Sequence, residues 1–391
     1  MIEVAQPAAG VRDRVRWEPI AFLRRLDWIL LGAAAGLIVY GLWVVSGITR
    51  FDIPGDEDYY VARQGVVAAL GLVGLVVAAL VPMDLVRRHW RLVYGGTLAL
   101  MVVVFVAAEA VRGSKRWIDV GPVQFQPSEL GKVLFVLAVA GYFASSPGRV
   151  LRWGTIWTAI GLGAAPVLLV FLQPDLGTAL VYAAALFAVL FFGGVRWRQL
   201  AFLAGLGALA VLSVVWILPS AGVQVLEPYQ AARLTLDPKA DPGGITYNLD
   251  QSITAVGSGG LTGRGPVEAS QTRLDYLPEH ATDFAFASLA EQRGFVGSSV
   301  LLLLYLLVVW RGLRVVTVAG DFYGAVVAGA LVVAFLFQVF VNVGMTMGLA
   351  PVTGIPLPFV TVGGSSLVAS LLMIGVLQSI HARGELSGRS P

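Results

Sequence analysis

Ten runs of mostly apolar residues, each long enough to cross a bilayer, alternate with polar segments along this chain. A membrane-spanning helix needs about 20 such residues, and a helix satisfies its own backbone hydrogen bonds within lipid. The runs cover residues 26–49, 61–81, 92–111, 128–146, 154–173, 176–195, 198–219, 284–310, 322–349 and 365–381. The sequence therefore predicts an all-α integral membrane protein of about ten transmembrane helices, with both termini on one side.

The composition supports the same class of protein. Hydrophobic residues make up 57% of the chain and charged residues 13%, whereas soluble domains carry roughly 25% charged residues. The chain has no cysteine, which excludes disulfides, thiolate metal sites and a cysteine nucleophile. A net charge of +3 is explained by membrane topology, so we expect no nucleic-acid partner.

Arginines outside the apolar runs are concentrated in alternate loops, and this pattern assigns a side to each loop. Cytoplasmic loops of membrane proteins carry an excess of Lys and Arg. The residues that carry this excess are Arg12, Arg14, Arg16, Arg24, Arg25, Arg87, Arg88, Arg91, Arg149, Arg152, Arg196, Arg198, Arg311 and Arg314. We therefore expect a cytoplasmic N-terminal segment 1–25, a single membrane domain 26–381 with a large extracytoplasmic loop 220–283 between helices 7 and 8, and a cytoplasmic tail 382–391.

Two segments on the opposite side have unusual content. Loop 220–283 mixes charges with aromatic and short apolar patches, so we expect it to fold against the helices rather than to be disordered. Segment 112–127 contains a basic cluster, Arg112, Lys115 and Arg116, that breaks the charge rule. Either that cluster is functional, or the loop is longer or partly buried.

Ionisable residues next to or inside spans are costly, which makes them candidate functional residues. Glu129 and Lys132 lie one turn apart at the start of the fourth helix, and Asp283 directly precedes the eighth. Glu291 and Arg293 lie further along the eighth helix. The structural alternatives are ion pairs of Glu129 with Lys132 and of Glu291 with Arg293, and a helix cap at Asp283.

Three polar or glycine-rich stretches are expected on the same side of the membrane as loop 220–283. They are Gln173-Pro174-Asp175, Gly257-Ser258-Gly259-Gly260 and Gly363-Gly364-Ser365-Ser366. Such loops can offer backbone N–H groups to an anion, but glycines also simply end helices, and for each stretch alone the structural interpretation is favoured. The P-loop pattern is missing from the sequence, so nothing in it indicates use of ATP.

A series of motifs follows one order over nearly the whole chain. It comprises Gly113-Ser114-Lys115-Arg116-Trp117-Ile118, Gln126-Pro127-Ser128-Glu129-Leu130 with Lys132, Gln173-Pro174-Asp175-Leu176-Gly177-Thr178, Pro228-Tyr229-Gln230 with Arg233, Tyr247 with Gln251-Ser252, Gly257-Ser258-Gly259-Gly260-Leu261 with Gly263 and Gly265, Leu277-Pro278-Glu279, Thr282-Asp283-Phe284, Leu357-Pro358-Phe359 and Gly363-Gly364-Ser365-Ser366. In this order and spacing the series resembles the SEDS family, the shape, elongation, division and sporulation glycosyltransferases that polymerise peptidoglycan.

Within that family, Thr353-Gly354-Ile355-Pro356-Leu357-Pro358 is most similar to the elongation branch, rather than to the division or sporulation branches. The chain also departs from the family pattern. His280 stands one place earlier than the family's histidine, Gln292 replaces a second acid, and Thr361-Val362 replaces a Ser-Tyr pair. These departures leave the role of His280 open.

The resemblance implies a reaction and a catalytic base. Lipid II would be polymerised into glycan strands at the outer face of the cytoplasmic (inner) membrane during cell elongation, with release of undecaprenyl pyrophosphate. A base must take the proton of the acceptor hydroxyl, and a carboxylate can do so. We expect Asp283 to be that base and Lys132 to be its nearest charge partner, which would favour the ionised carboxylate.

The remaining motif residues have supporting roles in this hypothesis. Stabilising a departing pyrophosphate needs cations, and Lys115, Arg116 and Arg233 are the candidates. Glu129 and Asp175 would position substrate or bind a divalent cation, the one cofactor we consider. Glu279 and Ser365 complete the set of substrate-binding candidates.

The resemblance also implies a partner, a class B penicillin-binding protein (a PBP2-type transpeptidase) with one membrane helix. A lipid-linked substrate further requires a lateral apolar groove, whose helices the sequence does not identify. The competing function is a lipid II flippase, which would need a similar bundle and groove. The acidic residue at the end of the outer loop favours the enzyme, and a scaffold without chemistry would leave the charges near the membrane unexplained.

Overall fold

The computed structural model of the protein describes residues 22–107, 116–120, 123–146, 148, 150–223, 226, 231, 233 and 244–387. Its helices are α1 (Trp28–Ile48), α2 (Tyr59–Leu80), α3 (Met83–Arg88), α4 (Trp90–Ala107), α5 (Pro127–Ala144), α6 (Trp153–Leu172), α7 (Leu176–Phe192), α8 (Trp197–Leu212), α9 (Ile245–Ser258), α10 (Gly265–Glu268), α11 (Ser270–Arg273), α12 (Ala285–Val318), α13 (Phe322–Thr346) and α14 (Gly364–Ser387). Helix α8 continues through a π-helical turn, Ser213–Ile217, and a short segment, Leu218–Ser220.

Ten apolar helices in the described part of the chain match the ten predicted spans. Eight are long and apolar enough to cross a membrane, and α4 and α7 are shorter apolar helices. The prediction of about ten transmembrane helices is therefore confirmed. Helices α12 and α14 continue to Val318 and Ser387, past the predicted ends at 310 and 381, because a helix can extend beyond the lipid into charged sequence.

One element departs from the all-α prediction. Strands β1 (Ile118–Val120) and β2 (Val123–Phe125) pair antiparallel, with Ile118 opposite Phe125. Their alternating apolar and polar residues are typical of short strands, but each strand has only three residues, too few for a recognisable sequence pattern. The hairpin leads directly into α5.

Helices α5, α13 and α14 form the interior of the bundle, and most of their residues are buried. Helix α8 lies at the periphery, where it buries only Gln199 and Leu200. Large apolar side chains on the outer helices are exposed, as expected for surfaces that face lipid. Among the polar side chains that these helices bury are Glu129 and Lys132 on α5 and Gln338 and Asn342 on α13.

The described part of the 220–283 loop folds against α12, as expected. At Gly294, α12 is broken by a φ of 62° and a ψ of −162°. The carbonyls of Gly260 and Leu261 accept bonds from the backbone N–H groups of Phe295 (2.8 Å) and Val296 (3.1 Å), replacing helical bonds. A Cβ at Gly294 would lie 2.4 Å from the backbone nitrogen of Gly263. The glycine-rich stretch after α9 is therefore a structural support for the kink.

The connection between α13 and α14 enters the bundle instead of crossing its surface. Its buried residues are Val352, Thr353, Ile355, Leu357, Pro358, Phe359, Val360 and Thr361. The Tyr305 hydroxyl of α12 donates to the Pro358 carbonyl, and the Thr361 hydroxyl accepts from the Leu357 N–H at 2.8 Å. We call residues 350–363 the inserted loop.

Candidate functional site

Asp283 lies immediately before α12, beside the inserted loop. The helix begins at Ala285 and its N-cap is Phe284, whose side chain makes no capping bond. The alternative that Asp283 caps this helix is therefore wrong. Its half-buried side chain is not used to end the helix and remains available for chemistry.

The backbone that carries Asp283 is held at every carbonyl from residue 279 to residue 283. The bonds are Phe284 N to Glu279 O (3.1 Å), Ser288 Oγ to His280 O (3.1 Å), Val362 N to Ala281 O (2.9 Å), Thr361 Oγ1 to Thr282 O (3.0 Å) and Asn342 Nδ2 to Asp283 O (3.1 Å). We call residues 279–283 the Asp283 segment. Its backbone is thus fixed relative to α12, α13 and the inserted loop.

Glu279 shapes the start of this segment. Its φ of 58° lies in the left-handed region, which costs a residue with a side chain about 1–3 kcal/mol. Its Oε2 atom accepts a 2.7 Å bond from the Thr282 hydroxyl. The predicted substrate-binding residue therefore also has a structural function, holding the turn that leads to Asp283.

Opposing influences set the pKa of Asp283. Burial is the largest influence and raises this pKa, Arg233 lowers it, Glu279 raises it, Arg116 lowers it and Asp175 raises it, and the net pKa is about 6. Although the carboxylate keeps a partly accessible face, its loss of water outweighs the attraction of the two arginines. The group therefore changes protonation state close to neutral pH.

Arg233 and Asp283 both lie against Gly354 of the inserted loop. A Cβ at Gly354 would lie 3.1 Å from Arg233 Nη1 and 3.3 Å from Asp283 Oδ2. The same Nη1 atom donates to the Thr353 carbonyl at 3.4 Å. Glycine leaves room for a carboxylate and a guanidinium at one point of the loop, and its φ of 70° suits this turn. The sequence-predicted base and one predicted cation are thus brought together.

Lys132 does not have the predicted role of nearest charge partner to Asp283. Its ammonium donates to both carboxylate oxygens of Glu129 at 2.9 Å and to Gln338 Oε1 at 2.8 Å. Lys132 is 8% exposed and Glu129 1%, so the pair is buried. A partner one turn away on the same helix satisfies the lysine locally, whereas Arg233 is the strongest charge influence on Asp283.

The other proposed ion pair is absent from the described residues. Glu291 accepts from the N–H groups of Gln271 (2.8 Å) and Thr272 (2.9 Å), at the start of α11. Arg293 lies over the ring of Trp43 at 3.9 Å from its centroid. Glu291 is therefore a buried anchor for the loop, and the pairing of Glu291 with Arg293 is wrong.

Arg116 and Asp175 belong to a second group of contacts nearby. Arg116 donates through Nε to the Gln173 carbonyl at 2.9 Å and through Nη2 to the Pro174 carbonyl. Asp175 caps α7, accepting from Thr178 N at 3.0 Å. Both side chains thus stabilise the α6–α7 turn, while their charges act on Asp283.

Gln126 connects this turn to α14. Its Nε2 donates to Asp175 Oδ2 at 3.1 Å, and its backbone N–H donates to Ser365 Oγ at 2.7 Å. Ser365 in turn donates to the Gln124 carbonyl at 3.1 Å. Ser365 is therefore placed as a framework residue. Lys115, the remaining candidate, lies outside the described residues.

His280 points toward the loop between α1 and α2. Its Nε2 atom is 3.0 Å from Asp52 Oδ1, and its Nδ1 atom is 3.7 Å from Asp275 Oδ1. Burial lowers the pKa of His280. The hydrogen bond to Asp52 and the charges of Asp52 and Asp275 raise it by a larger amount, so the net pKa is above its usual value. The displaced histidine thus joins the Asp283 segment to the α1–α2 loop.

The sequence analysis gave no role to Thr361 of the inserted loop and did not single out the polar side chains of α13. Asn342 and Thr361 hold the Asp283 segment, and Gln338 holds Lys132. A usable signal was present, because Gln338 and Asn342 are polar residues one turn apart in an otherwise apolar run.

Two further features bear on ligands. An apolar groove of about 280 Å³ lies between α12 and α13, and its lining includes Leu302, Leu306, Leu336 and Phe340.

Among the described residues, no group of three His, Cys, Asp or Glu side chains is placed to hold a metal ion. The carboxylates considered as cation ligands, Glu129 and Asp175, are engaged with Lys132 and the start of α7.

Known proteins resemble the chain over most of its length. The model of the FtsW/RodA/SpoVE family, described as cell cycle proteins, matches residues 24–385. Peptidoglycan glycosyltransferase MrdB of Escherichia coli K12 is 37% identical over 368 residues, covering 93% of this chain and 97% of MrdB. Stage V sporulation protein E of Bacillus subtilis is 35% identical, covering 90% of this chain and 94% of that protein.

Solved structures share the fold. A chain of a peptidoglycan synthase complex that coordinates polymerization and crosslinking superposes with a TM-score of 0.75 at 31% identity, covering 91% of this chain and 97% of that one. The rod shape determining protein RodA of Thermus thermophilus superposes with a TM-score of 0.66 at 29% identity, covering 91% of this chain and 96% of RodA.

Proposed function

This chain belongs to the FtsW/RodA/SpoVE family of cell cycle proteins, and we propose that it is a peptidoglycan glycosyltransferase that polymerises lipid II. The observation that carries this proposal is Asp283, a carboxylate on a fixed backbone beside Arg233, with a pKa of about 6. The likeness to MrdB and to RodA supports a role in cell elongation.

In the proposed reaction, the acceptor sugar's hydroxyl oxygen attacks the anomeric carbon of the donor sugar. The bond from that carbon to the pyrophosphate breaks, and Asp283 takes the hydroxyl proton. A base acts best when its pKa lies near the working pH, because it is then ionised and still basic enough to accept a proton. The raised pKa of Asp283 suits this role better than the pKa of an ordinary aspartate.

The departing pyrophosphate carries negative charge that must be stabilised. Arg233 and Arg116 both influence Asp283 electrostatically, so their positive charges act at the same place as the base. Cations held in a site of low dielectric stabilise developing charge strongly. Arg233 is the stronger of the two influences on Asp283, and we assign it the main role in contacting phosphate.

A divalent cation, if the reaction uses one, fits best as a partner of the substrate. Mg²⁺ usually keeps several waters and binds through one or two carboxylates together with substrate phosphates. Glu129 and Asp175 are engaged in protein contacts, which leaves the pyrophosphate oxygens as its main ligands. Removing divalent ions with a chelator would then change the KM for lipid II without changing the stability of the substrate-free protein.

We place the site at the outer face of the cytoplasmic membrane. Asp283 precedes the start of α12, whereas Arg311 and Arg314 lie near the other end of this helix, and arginine-rich segments of this kind are normally cytoplasmic. Lipid II would enter from the outer leaflet, with its polyprenyl tail left among the helices.

The partner we propose is a class B penicillin-binding protein. The similar chain from a synthase complex that coordinates polymerization with crosslinking supports this choice. We assign the partner's single membrane helix to the apolar groove between α12 and α13, because a helix can pack there between two others.

Filling the groove tests this assignment. Leu306→Trp and Leu336→Trp should each reduce co-purification of the partner several-fold, because the larger ring fills the groove in which the partner's membrane helix would pack. Leu209→Trp on the lipid-facing α8 is the matched control and should leave co-purification unchanged. Equal partner recovery with all three variants would show that the helix binds elsewhere.

The proposed activity is tested with the purified full chain, its partner and fluorescent lipid II in vesicles. Glycan ladders are expected from the wild-type chain. Translocation of lipid II across the vesicle membrane without ladders would replace the polymerase with a flippase.

A further inference from the structure

Helix α13 presents two buried amides toward the inserted loop. Gln338 and Asn342 lie one turn apart, and their side chains are 6% and 0% exposed. Amide side chains are costly in the middle of a membrane helix unless they bind something specific. Both do so here, and every bond they donate goes to a backbone carbonyl of the inserted loop or of the Asp283 segment.

Gln338 connects Lys132 to the inserted loop. Its Oε1 atom accepts from the Lys132 ammonium at 2.8 Å, and its Nε2 atom donates to the Pro356 carbonyl at 2.8 Å. The ammonium is held in turn by both carboxylate oxygens of Glu129. A continuous path therefore runs from the ion pair on α5 through α13 to the loop.

Asn342 connects the loop to the base. Its Nδ2 group donates to the Ile355 carbonyl at 2.7 Å and to the Asp283 carbonyl at 3.1 Å. Its Oδ1 atom is buried and has no hydrogen-bond partner among the described residues. The side chain thus acts through its two N–H donors, which join the neighbour of Pro356 to Asp283.

We propose that Gln338 and Asn342 are positioning residues for Asp283, and that Lys132 acts on this base through them rather than by direct charge. The inference rests on the proposed glycosyltransferase activity and on Asp283 being its base. It explains why an ion pair buried on α5 belongs to the site although Arg233 dominates the charge felt by Asp283.

The physical reason is the sensitivity of proton transfer to distance. A catalytic group misplaced by about 1 Å can lose about 100-fold in rate. Asp283 sits on irregular backbone before a helix, where the peptide has no helical bonds of its own to hold it. Buried networks in which each donor is satisfied rigidify such a segment, and the loss of one member propagates to its neighbours.

Two substitutions separate positioning from charge balance. Gln338→Glu keeps an acceptor for Lys132 but cannot donate to Pro356, and Asn342→Leu keeps a similar volume but cannot donate to Asp283 or Ile355. We expect each to lower kcat for lipid II polymerisation at least tenfold while KM changes less than about twofold. The acid limb of the pH profile should also move, because Asp283 no longer keeps its distance from Arg233.

Tyr323→Phe is the matched control on the same helix. It removes one buried bond at the other end of α13, where the Tyr323 hydroxyl donates to the Leu137 carbonyl at 3.2 Å. We expect wild-type kcat and an unmoved acid limb from this variant. Wild-type kcat in folded Gln338→Glu and Asn342→Leu, or an equal loss in the control, would overturn the proposal.

The role of Lys132 is tested by combining Lys132→Met with Gln338→Leu. If the two residues act in one path, the double variant should be no slower than the slower single variant. Losses that multiply would mean that Lys132 acts independently, against the proposal.

Hydrogen exchange provides a readout that does not depend on activity. The backbone amides of residues 279–284 should exchange at least several-fold faster in Gln338→Glu than in the wild type or in Tyr323→Phe. Unchanged exchange would overturn the positioning role even if the wild-type chain made no glycan. Absent ladders with the expected exchange would instead overturn the proposed activity alone.

Discussion

Arg233 offsets part of the rise that burial causes in the pKa of Asp283. Burial raises the pKa of this carboxyl, the guanidinium is the strongest influence in the other direction, and the net pKa is about 6. The same arginine is our candidate for binding the pyrophosphate. In this proposal, one side chain influences both the proton affinity of Asp283 and the charge available to the leaving group.

Replacing Arg233 should move the pH dependence of the reaction. Asp283 works as a base only when ionised, so kcat/KM should fall as the pH drops through about 6. Arg233→Gln removes the influence that lowers this pKa, so the acid limb should move to higher pH. A pH–rate profile with labelled lipid II measures the shift. An acid limb that stays in place, or moves to lower pH, would contradict the assigned influence of Arg233 on the pKa of Asp283.

The sequence singled out Asp283 and Arg233, which the structure brings together, but the prediction that Lys132 is the nearest charge partner of Asp283 was wrong. Helix periodicity correctly placed Lys132 one turn from Glu129, and this local spacing is what forms their ion pair. The distance between Lys132 and Asp283 depends instead on how α5, α12 and α13 pack. Neither residue spacing nor hydrophobic pattern contains that information. The sequence likewise did not predict that the inserted loop enters the bundle and brings Gly354 next to Asp283.

At the scale of elements, the Asp283 segment is a short irregular connection that is hydrogen-bonded to helices and loops on several sides. Its carbonyls accept hydrogen bonds from α12, α13 and the inserted loop. The side chain of His280 also contacts Asp52 in the loop between α1 and α2. The hydrophobic runs predicted the spans well because the bilayer imposes a length on each helix. They did not predict the kink at Gly294, because a kink depends on the chain that packs against it.

The contact between His280 and Asp52 should stabilise the protein in a pH-dependent way. The pKa of His280 is raised in the folded protein, so its contribution is fully present below the usual histidine pKa and is lost as the pH rises through the raised value. Asp52→Asn should therefore lower the melting temperature at about pH 6 and have little effect at about pH 9. Thermal unfolding in detergent measures both.

Asp56→Asn is the control for this comparison. Asp56 is an exposed carboxylate in the same loop and should show no such pH-dependent difference from the wild type. If Asp52→Asn lowered the melting temperature equally at both pH values, the charge on His280 would not be the cause.

At the scale of the whole molecule, the site requires one orientation in the membrane. Asp56 and the Asp283 segment lie at one end of the bundle, and Arg88 lies at the opposite end. The arginine distribution predicts that the end with Arg88 lies in the cytoplasm. Lipid II polymerisation outside the cytoplasm is compatible only with this orientation.

The absence of cysteine from the sequence makes the orientation directly measurable. A membrane-impermeant thiol reagent added to intact cells should label Asp56→Cys and leave Arg88→Cys unlabelled until the membrane is opened. The wild-type chain is the control for background labelling. Labelling of Arg88→Cys alone in intact cells would place Asp283 on the cytoplasmic side and exclude the proposed site of polymerisation.

The central claim is that Asp283 is the base of a peptidoglycan polymerase. Its most direct test is the rate of glycan formation by purified Asp283→Asn, compared with Asp56→Asn as a matched loss of one carboxylate at the same end of the bundle. General-base catalysis contributes about 100- to 10,000-fold, so Asp283→Asn should lose at least about 100-fold in rate while Asp56→Asn keeps the wild-type rate. Because the raised pKa means that the ionised carboxylate destabilises the fold at neutral pH, the melting temperature of Asp283→Asn should not fall. A folded Asp283→Asn that polymerises lipid II at near the wild-type rate would contradict the account.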